Sequence, residues 1–255
     1  MLMLRENLLR EFELHKDIPL SGQALADQFH VSRNAVWKAI NSLKEEGYPI
    51  LTQGRKGYLL AHGSDIVTED GLRSLLSPSL SDLRILAMKE VDSTNMEARR
   101  HLARGYSGRM LIVSESQTNG RGHEGTSFLS PPKEGVYISL AIPVSIPFDK
   151  ARYAGHGAAV AAIRALHSTG TEASIRKVNE LWTTAKIGGI LTEAHTTDLE
   201  SGRITSLIIG AGIYRTAFAD GITRSQIAAA FTNELFSLDL TEPVTFLDEY
   251  HLLHK

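Results

Sequence analysis

Three glycines within six residues, Gly120, Gly122 and Gly125, lie in the run Glu115-Ser116-Gln117-Thr118-Asn119-Gly120-Arg121-Gly122-His123-Glu124-Gly125. Glycine at that density lets a backbone wrap closely around a ligand and offer N–H groups to an anion. Ser93-Thr94-Asn95 follows a strand-like run at the start of a helix, where it reads either as a plain N-cap or as part of a polar site. Two further runs mix small and polar residues. One is Ser174-Ile175-Arg176-Lys177-Val178-Asn179-Glu180-Leu181 with Lys186-Ile187-Gly188-Gly189-Ile190-Leu191-Thr192-Glu193 after it. The other is Ile208-Ile209-Gly210-Ala211-Gly212-Ile213. No Gly-x-x-x-x-Gly-Lys-Ser/Thr loop and no Gly-x-Ser-x-Gly elbow occurs. With no cysteine there is no thiol nucleophile and no thiolate metal site. His251 and His254 read as terminal polar residues, and no metal site is expected.

The elements that must hold these runs alternate from about residue 85 onward. Ile85–Val91, Met110–Ser114, Val136–Pro143, Ile187–Glu193 and Ile204–Ile213 read as strands, the last two as a pair. Thr94–Leu102, the alanine-rich Ala151–His167 and Arg224–Phe236 read as helices. Mixed order with apparent hairpins predicts an α+β fold rather than a doubly wound parallel sheet.

The first sixty residues form a module of their own. Leu4, Leu8, Leu9, Phe12 and Ile18 recur at helical spacing, and Asp17, Pro19 and Ser21 end that helix. Ser21 caps a short second helix with Ala24, Leu25, Ala26 and Phe29. Ser32 caps a third, with Val36, Ile40 and Leu43, that stops at Gly47. Ile50 to Leu60 reads as a hairpin with a basic turn, so the module is a helix-turn-helix with a wing. From Val31 to Leu60, five basic side chains against Glu45 and Glu46 leave a local charge of +3. Arg33, Asn34, Trp37 and Lys38 fall in the first turns of the recognition helix, where base and phosphate contacts are made. Trp37 is split between core and phosphate contact. Arg55 and Lys56 belong to the wing, facing the phosphate backbone or the minor groove. Packing with a solvated charged face, or protein interaction, is the alternative to DNA binding.

The 255 residues carry a formal net charge of −2, with 42% hydrophobic and 22% charged residues. That is an ordinary globular composition, so DNA binding must rest on a local patch. At roughly 150 residues per domain, two domains are expected. We place them at 1–62 (winged helix-turn-helix) and 85–255 (ligand binding), with 63–84 as a linker holding one helix from Thr68 to about Leu76. No apolar run approaches the ~18 residues of a membrane span. Arg5, Glu6 and Arg10 stand where a signal peptide needs an apolar core, so a cytoplasmic protein with no membrane partner is expected.

In this order, behind a winged helix, the four runs resemble the bifunctional biotin protein ligase and biotin operon repressor family, the BirA type. The resemblance covers nearly the whole chain. It implies a ligase-like, class II synthetase-like mixed sheet. In that family biotin and ATP give biotinyl-5′-AMP, biotin passes to a lysine of a carboxylase carrier domain, and the liganded protein dimerises on operator DNA. By resemblance Ser93, Thr94 and Gln117 hold the ureido end of biotin, with Asn95 beside them. Hydroxyl and amide groups both donate to and accept from a cyclic urea. Gly120, Arg121 and Gly122 match the loop over the carboxylate and adenylate phosphate, and Phe128 matches a lid tryptophan. Gly189, Gly210 and Ala211 match backbone positions lining the pocket, and Asn179 matches the asparagine of the lysine motif.

The departures fall on the adenylation side. His123 and Glu124 replace two loop arginines, which takes the local charge of those positions from about +2 to −1 with His123 neutral. Arg176 stands in place of the family lysine, and arginine's planar fork is no isostere of a point charge. Lys177 and Glu180 replace the tryptophan and aspartate of the same motif, and Tyr214 replaces an asparagine that helps the nucleotide. A full ligase also continues past the position of Lys255 into a small β-barrel. Loss of a single donor to a transferring group costs on the order of 10²–10³ in rate. The expected function is therefore a ligand-responsive repressor. It would bind an operator in double-stranded DNA as a homodimer, with biotin, biotinyl-5′-AMP or a related small acid as its ligand. The alternative is an active biotin protein ligase, using ATP with Mg and acting on a carboxylase carrier.

Overall fold

The computed structural model describes residues 2–15, 18–45, 47–61, 65–195, 200 and 202–255. Asp17, Glu46, Gly63 and Ser64, all used in the sequence reading, lie outside them. The chain divides into two compact units, Met1–Ser74 and Leu75–Lys255.

In the first unit, α1 (Leu2–Leu14), α2 (Gly22–Gln28) and α3 (Arg33–Glu45) precede a two-stranded sheet, β1 (Ile50–Thr52) and β2 (Tyr58–Leu60). Leu8, Phe12, Leu25, Val36, Ile40 and Leu43 meet in its core with Ile50 and Leu60 of the wing. The Ser21 hydroxyl accepts from Gln23 N at 3.2 Å and the Ser32 hydroxyl from Ala35 N at 3.1 Å. Gly47 leaves α3 at φ 94°, left-handed geometry that favours glycine. Ile18 does not extend the apolar face of α1: it lies beyond the last turn and is 57% exposed. Gly57 has φ 109°, and a Cβ there would come within 2.0 Å of the Leu20 carbonyl oxygen. Only glycine lets Leu20 and Tyr58 exchange their backbone bonds of 2.7 and 2.9 Å, which adds a third rung to the wing. The helix expected in the linker is α4 (Glu69–Leu75), capped by the Thr68 hydroxyl accepting from Gly71 N, and the division between units falls in its last turn.

The second unit is built on a seven-stranded mixed sheet. Its strands are β3 (Arg84–Met88), β4 (Met110–Ser114), β5 (Gly135–Pro147), β6 (Ser174–Arg176), β7 (Glu180–Trp182), β8 (Lys186–His195) and β9 (Arg203–Tyr214). Their spatial order is β3-β4-β5-β9-β8-β7-β6, with β3 and β4 parallel and every other pair antiparallel. Helix α5 (Thr94–Ala103) lays Ala98 and Leu102 on Met110, Ile112, Ala141 and Ile208 of one face. Thr192 opposes Ile209 rather than Ile208, so it points to the other face, where Gly155 of α7 (Ala154–Ser168) packs against it. Helices α8 (Arg224–Ser237) and α9 (Val244–Leu253) complete the unit.

Several boundaries differ from the sequence reading. The expected helix Ala151–His167 is broken into α6 (Phe148–Ala151) and α7 at Arg152–Tyr153. Gly155 and Gly157 lower helix propensity where the pattern begins. β3 ends at Met88, leaving Val91 as a lone bridge to Gln117, and β5 runs four residues beyond Pro143 through a register shift. β6 and β7, of three residues each, carry too few positions to show a two-residue period.

Candidate functional site

The polar floor of the site is set by the start of α5. Ser93 is its N-cap, and Asp92 fixes the turn by accepting from Ser93 N at 2.8 Å and from Arg100. Gln117 accepts from Thr94 N at 2.8 Å and from the Thr94 hydroxyl at 3.1 Å through Oε1. Its Nε2 donates to Ser130 Oγ at 2.8 Å, and that hydroxyl donates to the Phe128 carbonyl. Ser139 Oγ lies 2.7 Å from Thr94 Oγ1 and 2.6 Å from Asn95 Oδ1. Asn95 donates to Glu193 at 2.8 Å, and Arg99 pairs with the other oxygen of that carboxylate at 2.7 Å. Ser93, Thr94, Asn95 and Ser139 are all buried, so the floor is a connected set of amphoteric groups in a low-dielectric place.

The strands behind this floor have been stripped of side chains. Gly189 opposes Gly212, and Leu191 opposes Gly210, on β8 and β9. A Cβ on Gly210 would sit 2.4 Å from Asn95 Oδ1, and one on Gly212 would sit 2.3 Å from the Phe128 ring. Gly210→Ala is therefore expected to push Asn95 off Ser139 and Glu193, at about 1–3 kcal/mol for an overpacked core position. A lower urea midpoint at unchanged slope is the check.

The glycine loop closes the top. Gly122 N donates to Thr126 O at 2.7 Å and Phe128 N to Gly120 O at 2.9 Å. A Cβ on Gly120 would strike the Phe128 carbonyl oxygen at 2.3 Å. The Phe128 ring stacks on Tyr214 at 5.3 Å and 7°, with its edge against Tyr137 at 6.4 Å. The Tyr214 hydroxyl donates to Leu129 O at 3.1 Å, and burial raises its pKa, so it stays a neutral donor.

Between floor and loop lies a cavity of about 110 Å³. Ser93, Thr94, Asn95, Gln117, Arg121, Gly122, His123, Phe128, Asn179, Gly189, Gly210 and Ala211 all line it. Gly120 instead lies under the loop against Phe128, and Tyr214 backs the Phe128 ring. Arg176 does not itself line the cavity: it is exposed on β6, directly opposite the lining residue Glu180 of β7, with its guanidinium 4.5 Å from the Trp182 ring centre. Sequence reasoning passed over Lys186 and Ser139. Lys186 lines the cavity with its Nζ 3.1 Å from Glu180. Its signal was its place at the head of Lys-Ile-Gly-Gly-Ile. Burial raises the Glu180 pKa, but hydrogen bonds from Lys177, Trp182 and Lys186 outweigh it and hold the carboxyl at about 2. A depressed carboxyl stabilises above its ordinary pKa and loses that contribution as pH falls, so this corner stays charged until the pH approaches 2.

In the first unit Arg33, Asn34 and Trp37 of α3 share one concave surface with Arg55 of the wing turn. Lys38 and Lys56 are exposed beside it. Trp37 is 53% exposed and absent from the core, which leaves it available for contact.

Residues 5–59 match the HTH domain model, and residues 87–213 match the biotin/lipoate A/B protein ligase family model. The bifunctional ligase/repressor BirA of Bacillus spizizenii is 31% identical over 212 residues, 82% of this chain and 64% of that protein. Its counterpart in Bacillus subtilis gives the same figures. The chain thus spans just under two thirds of these relatives' length. Among solved structures, biotin protein ligase from Leishmania major in complex with biotin has a TM-score of 0.54 at 19% identity, over 69% of this chain and 82% of that one. The same enzyme with biotinyl-5-AMP gives 0.52 at 21%, over 68% and 81%. At such identities the likeness is one of fold.

Proposed function

This chain belongs to the biotin/lipoate A/B protein ligase family, carried behind an HTH domain, and we propose that it is a ligand-responsive transcriptional repressor. In this reading the first unit binds operator DNA, and the second holds biotin, a related small acid or its adenylate. Thr94 and Gln117, at the cavity wall, would face a cyclic urea, with Ser139 buried behind them as the hydroxyl that orients Thr94 and Asn95. Arg121 would meet the carboxylate, and Phe128 would cover the apolar body. The cavity is smaller than the roughly 300–1,000 Å³ of pockets that bury drug-sized ligands, and in this reading the Gly120–Phe128 loop moves to admit the ligand and settles over it. A liganded homodimer in the cytoplasm completes the proposal.

The observation that carries the regulator reading is the placement of Arg176. The polar floor is fully connected, whereas the cation expected to act on phosphate is stacked on Trp182 outside the cavity. One observation favours the second reading, an active ligase that adenylates biotin with ATP and Mg and modifies a carboxylase carrier. Lys186 keeps an ammonium at the cavity wall. Calorimetry with biotin and biotinyl-5′-AMP, beside biotin-dependent pyrophosphate–ATP exchange, separates the two. Binding without exchange is expected. Exchange abolished by Arg176→Ala or Lys186→Ala overturns it, and no heat from either compound removes the sensor.

The Phe128–Tyr214 stack sets ligand residence in this reading. Aromatic pairs contribute about 0.5–1.5 kcal/mol beyond buried area, so Tyr214→Ala should speed dissociation of the liganded form roughly 2–10-fold, read by stopped flow.

A further inference from the structure

A second cavity, of about 430 Å³, lies between the start of α7 and β8. Val178, Ile190, Ala194 and Leu207 give it apolar walls, Arg152 is an exposed cation at its rim, and no carboxylate lines it among the described residues. It shares His123, Asn179 and Ile190 with the first cavity, and its size falls in the range of pockets that bury small molecules. Two of its lining residues carry buried polar atoms with no hydrogen-bond partner, Thr192 Oγ1 and His156 Nδ1. Such atoms are costly to leave unsatisfied, and an occupant that bonds them removes the cost.

The surroundings favour an anion. Burial lowers the His156 pKa and the Arg152 guanidinium pushes the same way, against the Arg152 carbonyl. The ring is thus neutral at pH 7, able to donate from one nitrogen, and its edge is held against Tyr250 at 4.3 Å.

We propose that this cavity is a second ligand site, taking a small aliphatic carboxylate whose chain lies on Val178, Ile190 and Leu207 and whose head group meets Arg152, Thr192 and His156. The site does not depend on the function assigned to the first cavity, and its test needs no biotin.

Hexanoate, 1-hexanol and hexylamine titrated into the full chain by calorimetry provide that test. Saturable hexanoate binding is expected, with the alcohol and the amine at least about tenfold weaker, as for a charge-assisted head-group contact. Arg152→Ala, an exposed position, should reduce hexanoate to the level of the alcohol, and Thr192→Val should weaken it several-fold. Failure to saturate, equal affinity for all three probes, or unchanged binding in Arg152→Ala would overturn the site.

Discussion

Gln117→Leu should cost about 2–4 kcal/mol of stability and lower biotin affinity at least ~100-fold, because one side chain joins three parts of the site. Its carbonyl oxygen takes both Thr94 donors at the start of α5, and its amide reaches Ser130, which in turn holds the Phe128 carbonyl. Leucine nearly keeps the volume but leaves the Thr94 N–H and the Thr94 hydroxyl without their acceptor and takes one donor from Ser130. Each buried group so orphaned costs about 1–3 kcal/mol. Gln117→Glu divides the effect. Its carboxylate still accepts from Thr94 but no longer donates to Ser130, so the floor should be retained while the Phe128 end of the loop loosens. Urea unfolding with and without ligand gives both quantities. Ligand at a hundred times its Kd should stabilise the wild type by about 2.7 kcal/mol and Gln117→Leu hardly at all. If Gln117→Leu were protected like the wild type, the head group would have to lie elsewhere than on this floor.

What could be read ahead of the structure was whatever local chemistry dictates. Val36, Ile40 and Leu43 repeat with the helical period, Ser21 and Ser32 are caps by residue type, and Gly47 ends a helix because it tolerates positive φ. The residues that line the first cavity were legible for a similar reason: glycine runs and an N-cap triplet are written in consecutive positions. The remainder depends on contacts between distant positions. Ser139 gave no signal on a strand of otherwise ordinary sequence, yet it is the hydroxyl between Thr94 and Asn95. Lys186 is drawn to Glu180 across the β7–β8 turn, and Arg176 is taken up by Trp182 through a cation–π contact that no spacing rule announces. Tyr214 read as a lost asparagine, and in the folded chain its ring stacks on Phe128. Each of these alters the chemistry of the site more than its outline.

DNA binding by the first unit should be lost steeply with salt, with log K falling at roughly −0.9 per phosphate neutralised. The net charge of the chain is −2, so attraction has to come from the local face on which Arg33 and Arg55 share a concavity and Lys38 and Lys56 flank it. Lys56→Ala should weaken all sequences about equally and flatten the salt slope by about 1, as expected for a phosphate contact. Asn34 is exposed in the first turn of α3, and if it reads a base edge, Asn34→Ala should cost ~1–3 kcal/mol on the cognate site and little elsewhere. Trp37→Ala tests the remaining contact, since an exposed indole removed from a face that never meets DNA would change neither quantity. Fluorescence anisotropy across a salt series, on the cognate operator and on an unrelated duplex, yields slope and specificity together. Wild-type behaviour in both Lys56→Ala and Asn34→Ala would make this face a protein-interaction surface, because a helix and wing that touch no phosphate and no base have no other means of holding a duplex.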